Sequence, residues 1–353
     1  MAAIKISILT AAVALAAMLT SAEDGLIDSA GLASGVAANA ESYLPIDIPE
    51  EYWNADRHDR HLVVHPSIIY AHDSLWGYRF WMAFTPYDAA IHENPSIVVS
   101  HDGDTWLPFV TSSGRDTLVN PIFDMNDIEN SLYLSDPDIF MQGEDSLWMV
   151  FRSSYRKHRC GLWVSVTTDG AHWSEPKAIL DRKKNLFSPA VLCLDDGRYG
   201  MWVVVTDPKP NRVLFYSAPR PDSGWSLVDT CRWLPSDTTL NDIWHIEILP
   251  EFQGSLAALV TENVGPGIDL KQLYLATSVD GGFSWTTRAE PLLKAGPAGA
   301  WDGRQIYRSS GILTADDSCV VLDLFYSAGG NENMYFHIGH TGVLLPPFRS
   351  PNK

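Results

Sequence analysis

The sequence predicts an all-β protein, a five-bladed β-propeller, and three observations carry that expectation. From residue 60 onward the chain has almost no helical periodicity and is cut into short β-rich runs by Gly, Asp, Asn and Pro. One strand pattern recurs five times, with first strands roughly 50 to 70 residues apart. Three of the repeats also carry the same Asp-Gly turn ahead of a tryptophan.

The chain of 353 residues opens with Lys5 and an apolar run, ILTAAVALAAMLTSA, that ends in small residues. This reads as a signal peptide over 1–22, followed by an Ala/Gly/Ser-rich flexible leader over 23–45 and a propeller domain over 46–353. The expected location is secreted or periplasmic, with no membrane span left after signal removal. A net charge of −18 repels phosphate backbones, so nucleic acid is not an expected partner. Cys160, Cys193, Cys231 and Cys319 fit no metal spacing; most are expected to be free and buried, with room for one bridge.

The five first strands are HPSIIY at His65, SDPDIF at Ser135, FSPAVL at Phe187, WHIEIL at Trp244 and RSSGIL at Arg308. Each precedes an aromatic-rich second strand: YRFWMAF, SLWMVFR, RYGMWVVV, GSLAALV and SCVVLDLF. Third strands follow as NPSIVVS, GLWVSVT, RVLFYSA, QLYLATS and MYFHIGH. Repetition around an axis leaves few open sheet edges, which favours a propeller over a sandwich. The last repeat lacks an outer strand after Gly342, and the segment Arg60–Val64 is expected to close the ring. The turns SHDGDTW, TTDGAHW and SVDGGFSW provide an Asp carboxylate to cap backbone N–H groups and a Gly for positive φ. They resemble the Asp-box of sialidases and related propellers, a rim feature that informs the fold.

First strands line a propeller's channel. Aligned on their prolines, they place His65, Asp136, Ser188, His245 and Ser309 before the proline position, and Ser67, Asp138, Ala190, Glu247 and Gly311 after it. Residues two apart share a strand face, so Asp136 is expected beside Asp138 and His245 beside Glu247, in one polar pocket. Asp-Pro-Asp also suits a strand-entry turn, and Glu247 also suits a half-exposed strand. The loop ahead of the first blade's third strand adds Glu93. Arg152, Tyr155 and Arg308 supply the cationic and aromatic groups that sugar binding needs.

With Asp-Pro on a first strand and a Glu on a later one, the chain resembles the five-bladed glycoside hydrolases of the family 43, 62, 32 and 68 grouping, over about residues 60 to 345. The resemblance implies a glycosidase acting on an oligo- or polysaccharide, with Asp136 assisting and Glu247 as the general acid. His65 stands where those families carry their first carboxylate, which leaves Glu93 or Asp138 to replace it. The assignment is therefore Glu247, Asp136 and Glu93 as catalytic, and His65, Asp138, Arg152, Tyr155, His245 and Arg308 as substrate-binding. Two other readings stay open: a non-catalytic carbohydrate-binding propeller, and a sialidase-like exo-glycosidase. No cofactor is expected; His65, His245 and the acids include ligands for Ca²⁺ or Zn²⁺, but no compact metal-binding spacing occurs.

Overall fold

The computed structural model describes residues 45–52, 62–87, 93–157, 159–234, 240, 242–252, 255–263, 272–315, 320–330 and 336–345. The signal peptide expected over 1–22, the leader expected over 23–45 except Pro45, His92 and Cys319 lie outside them.

Five sheets follow one another along the chain, antiparallel throughout except for one short parallel pair in the fourth. The first holds β1 (Val63–Leu75), β2 (Tyr78–Pro86), β3 (Ser96–Ser100) and β4 (Trp106–Leu107). The second holds β5 (Tyr133–Gln142), β6 (Ser146–Tyr155), β7 (Arg159–Thr167) and β8 (Lys177–Lys184). The third holds β9 (Leu186–Cys193), β10 (Tyr199–Val205), β11 (Arg212–Ala218) and β12 (Ser226–Thr230). In the fourth, β14 (Ile243–Phe252), β15 (Ser255–Glu262), β16 (Gln272–Ser278) and β17 (Ser284–Thr287) are joined by two short strands, β13 (Arg232–Trp233) and β18 (Leu293–Lys294). The fifth has three strands, β19 (Gln305–Ala315), β20 (Val320–Gly329) and β21 (Phe336–Leu345). These are the five blades the repeats predict.

Each blade is apolar on both faces, so the core is distributed between blades rather than central. Five separate clusters fill the five interfaces. Trp81 and Phe151 are buried between blades one and two, Met201 between two and three, and Trp202 and Trp285 between three and four. Leu324 is buried between four and five, and Phe84 with Phe325 at the seam between five and one.

Ring closure departs from expectation. Val63 and Val64 belong to the inner strand β1, not to the outer edge of blade five. That edge is met instead by Pro45, which bridges Gly339, and by Ile46, whose N–H donates to the Ile338 carbonyl at 2.7 Å. Ile48 then buries itself in the seam. Strand β21 needs a partner for its outer edge, and the chain preceding blade one reaches it first.

The inner strands share a distortion. In β1, β5, β9 and β19 the pairing register jumps so that two residues oppose one, a β-bulge; β14 jumps by one residue before His245. His65, Asp136 and Ser188, each preceding a proline, hold φ values of 58°, 51° and 50°. Non-glycine residues pay roughly 1–3 kcal/mol for such a backbone, which persists where the surroundings dictate it, often at functional sites.

A two-layered polar centre on the propeller axis

The bulges aim inner-strand side chains at the axis, where they meet in two layers. The outer layer gathers His65, Asp136, His245, Glu93 and Arg152. His65 Nε2 lies 3.4 Å from Asp136 Oδ1, and His245 Nδ1 lies 3.8 Å from the same oxygen. The other ring nitrogen of His65 bonds Thr85 Oγ1 at 2.7 Å and stands 3.5 Å from Glu93 Oε2. Arg152 Nη1 approaches Asp136 Oδ2 at 3.6 Å, with Ser135 Oγ between them, 3.2 Å from each.

The deeper layer holds Asp138, Glu247 and Ser310. Ser310 Oγ donates to Glu247 Oε1 at 2.7 Å, and the Val191 N–H donates to Asp138 Oδ2 at 2.7 Å. Arg308, fully buried, joins the layers: Nη1 is 3.9 Å from Asp136, while Nη2 is 3.7 Å from Asp138 and 3.3 Å from Glu247.

The single pocket expected from strand alternation is thus two tiers. Residues two apart on a strand stand about 6.5–7 Å apart along it, so Asp136 and Asp138 enter at different depths, as do His245 and Glu247. Eight of the nine residues singled out converge. The ninth, Tyr155, packs in the core between blades one and two, where its hydroxyl accepts a bond from Ser153 Oγ at 2.7 Å. It ends the second strand of blade two and is buried in that interface, apart from the axial cluster. In blade five the working side chains are Arg308 and Ser310 rather than the aligned Ser309 and Gly311. Without a proline to mark the bulge, the sequence alignment slipped by one.

Sequence reasoning missed Ser310, Thr85 and Tyr307. The Tyr307 ring packs against both imidazoles, at 4.6 Å from His245 and 5.3 Å from His65. With Phe187, 6.0 Å from His245, it forms an aromatic collar. The signal available was its place directly before Arg308. Cys160, buried beside Arg152 Nε at 3.1 Å, is also part of the support; it, Cys193 and Cys231 are free thiols, with Cys193 exposed.

Burial dominates the electrostatics. It pushes the His65 imidazole down to about 4 and His245 well below its ordinary value, with Arg308 and Arg152 adding to the effect. Burial pushes the Glu93 carboxyl up to about 8, and the negative charge of Asp136 pushes the same way. Asp136 moves oppositely: burial favours its neutral form, but the surrounding cationic groups outweigh it and hold the carboxylate ionised. His65 and Arg152 act most strongly in that direction, followed by His245 and Arg308. Asp138 and Glu247 form a hydrogen-bonded carboxyl pair, both raised by burial. At Glu247, Arg308 and the Ser310 hydroxyl work against that rise.

His65, Asp136 and His245 each direct one donor atom into a common space, all within 4.8 Å of one another. Asp136 Oδ1 and both nitrogens of His245 are buried with no hydrogen-bond partner among the described residues. Buried polar atoms left unpaired are costly, and these are the donor types that hold a divalent transition ion. The sequence has no compact metal spacing because the donors come from three blades.

The fold is a five-bladed β-propeller whose solved structural neighbours include glycoside hydrolases of family 43. No family profile matches the chain. A curated relative, the A type blood N-acetyl-alpha-D-galactosamine deacetylase of Flavonifractor plautii, is 26% identical over 336 residues, covering 81% of this chain and 42% of the relative. The chain therefore spans about two-fifths of that relative's length. Among solved structures, an N-acetylgalactosamine deacetylase from F. plautii in complex with blood group B trisaccharide superposes with a TM-score of 0.71 at 21% identity, over 87% of this chain and 95% of that one. A family 43 β-xylosidase/α-arabinofuranosidase from a compost microbial metagenome gives 0.56 at 14% identity, over 86% and 94%. The structural likenesses show the fold; the named activities are those of the relatives.

Proposed function

We propose that this chain is a metal-assisted amide hydrolase that removes the acetyl group from an N-acetylated amino sugar of a glycan. The observation that carries the reading is the triad His65, Asp136 and His245, with its unpaired donor atoms turned to one point. The curated deacetylase relative, matched over most of the chain, supports it.

The three residues would hold a divalent ion, which polarises a carbonyl and lowers the pKa of bound water. The chain's own residues supply the rest. Thr85 accepts from His65 Nδ1–H, which leaves the Nε2 lone pair facing the triad. Glu93, with Oε2 unpaired and its pKa raised toward the working range, takes the proton of the attacking water and passes it to the leaving nitrogen. The amide C–N bond breaks, acetate and a sugar amine form, and Arg308 balances charge beneath the triad. Trp244 and Tyr307 flank His245 and keep the centre partly dry.

The test is product analysis on N-acetylgalactosaminides. Acetate and free amine should appear in equal amounts, stop on chelation, and return with added divalent ion. A second reading, glycoside hydrolysis with Glu247 as the general acid and Asp136 assisting, draws on the raised Glu247 carboxyl. New reducing ends without acetate would establish it and overturn the first. Glycan binding with neither product would favour the binding-module reading. Export is also proposed, on the apolar N-terminal run, and N-terminal sequencing from the native host should begin near Glu23.

A further inference from the structure

A second cleft lies away from the axis, between the segment following blade one and the Asp-Gly turn of blade two. It encloses about 260 Å³ and shares no lining residue with the axial centre. Its wall includes Trp173, the tryptophan of the TTDGAHW turn. In the two sister turns this tryptophan is spent on the core: Trp106 is 2% exposed, and Trp285 is fully buried with its N–H on the Gly282 carbonyl at 2.9 Å. Trp173 differs in being only half-buried; its indole N–H, like that of Trp106, is shielded from water and has no acceptor among the described residues. Val119, 76% exposed, and Ile122 supply an apolar lip. Asp127, Glu175 and Thr117 bring oxygen acceptors.

We infer that this cleft is a secondary saccharide site that holds one neutral or amine-bearing sugar unit of a glycan. An aromatic wall offers the apolar ring face a surface, and the nearby carboxylates match the hydroxyls around its edge. Among the described residues the lining provides no lysine or arginine; its one basic side chain, His172, is engaged by Asp169 at 2.8 Å. Acid-lined and without a free cation, the cleft selects against uronic and sialic acids and accepts the ammonium that deacetylation exposes. The choice of a saccharide rests on the proposed glycan substrate. The site itself does not depend on the chemistry at the axis.

The test is a titration of the full chain, watching the Trp173 indole N–H resonance, assigned through Trp173→Phe. Galactosamine and galactose should shift it in the millimolar range, and galacturonate should not. The Asp136→Asn variant should give the same shifts, because the axial centre is not involved. An indole unmoved by either sugar up to about 50 mM, well beyond the weakest useful affinity, overturns the inference. So does an equal response to galacturonate, or a shift that disappears in Asp136→Asn. An inactive chain whose indole still responds sinks the proposed reaction and spares the cleft; an active chain with a silent indole does the reverse.

Discussion

Aspartates at the rim and aspartates on the axis behave as different residues in this molecule. At the rim, Asp102, Asp169 and Asp280 each accept two backbone N–H bonds from their own turn, between 2.8 and 3.1 Å. Their preceding Ser100, Thr167 and Ser278 hydroxyls take the glycine N–H of the same turn at 2.9 Å. Burial is the largest single influence and favours the neutral form, but the local hydrogen bonds together outweigh it and lower all three carboxyls. On the axis, Asp136 finds its partners on four other segments, and Asp138 finds its own on all four other blades. A rim aspartate completes its neighbourhood within five residues; an axial one needs the ring to close.

The comparison is broken most decisively at Asp136. Asp136→Asn keeps the shape and removes the anion, and should abolish acetate release, by on the order of 10³-fold or more, with loss of bound divalent ion measured by elemental analysis. Glu93→Gln should lower turnover by about 10²–10⁴-fold while metal content stays at the wild-type level, which separates a proton carrier from a ligand. Arg308→Met leaves three carboxyl groups buried without their common cation. It should cost about 3–5 kcal/mol in denaturant unfolding, an effect the rim cannot match.

At the rim, Asp280→Ala should cost about 1 kcal/mol, because water replaces much of what an exposed turn loses, and activity should not change. Gly282→Ala sharpens the point. Gly282 holds a φ of +90°, and an added Cβ would stand 2.3 Å from the Trp202 ring of the preceding blade. Gly103 has φ +84° but meets its nearest neighbour, Phe80, only at 3.4 Å. The alanine variant at Gly282 should therefore be the less stable of the two by thermal unfolding.

The smallest effect is a pH dependence at the seam between the last blade and the first. His340 lies 2.5 Å from Asp323 and 3.3 Å from Asp104, stacked on Phe325 at 4.2 Å. Burial disfavours the charged ring, but the two aspartates outweigh it and raise its pKa. A raised folded-state pKa gives stability that is complete below the unfolded value near 6.5 and lost as pH rises through the folded one. The melting temperature should fall across that window, and His340→Gln should flatten the decline.

How far the sequence could be read follows the same division. The rim turns, the blade count and the strand triplets were legible because their causes lie within one repeat. Proline marked the bulge in three inner strands, so His65, Asp136 and Asp138 were found; WHIEIL gave His245 and Glu247 by alternation. Blade five carries no such proline, and Ser310 was missed for that reason. Tyr155 was misplaced because distance along a strand does not reveal which blade interface a side chain enters.

By itself, the sequence determined five repeats of β-structure, the turns that end their third strands, and a polar set on the inner strands, since each depends on hydrogen bonds and side-chain alternation among near neighbours. Only the tertiary structure decided that residues 45–46 meet the last blade, that the axial groups divide into two layers joined by Arg308, and that His65, Asp136 and His245 share one space. Those outcomes depend on contacts between residues up to 294 positions apart, brought together by the apolar packing between blades, and no local spacing encodes that convergence.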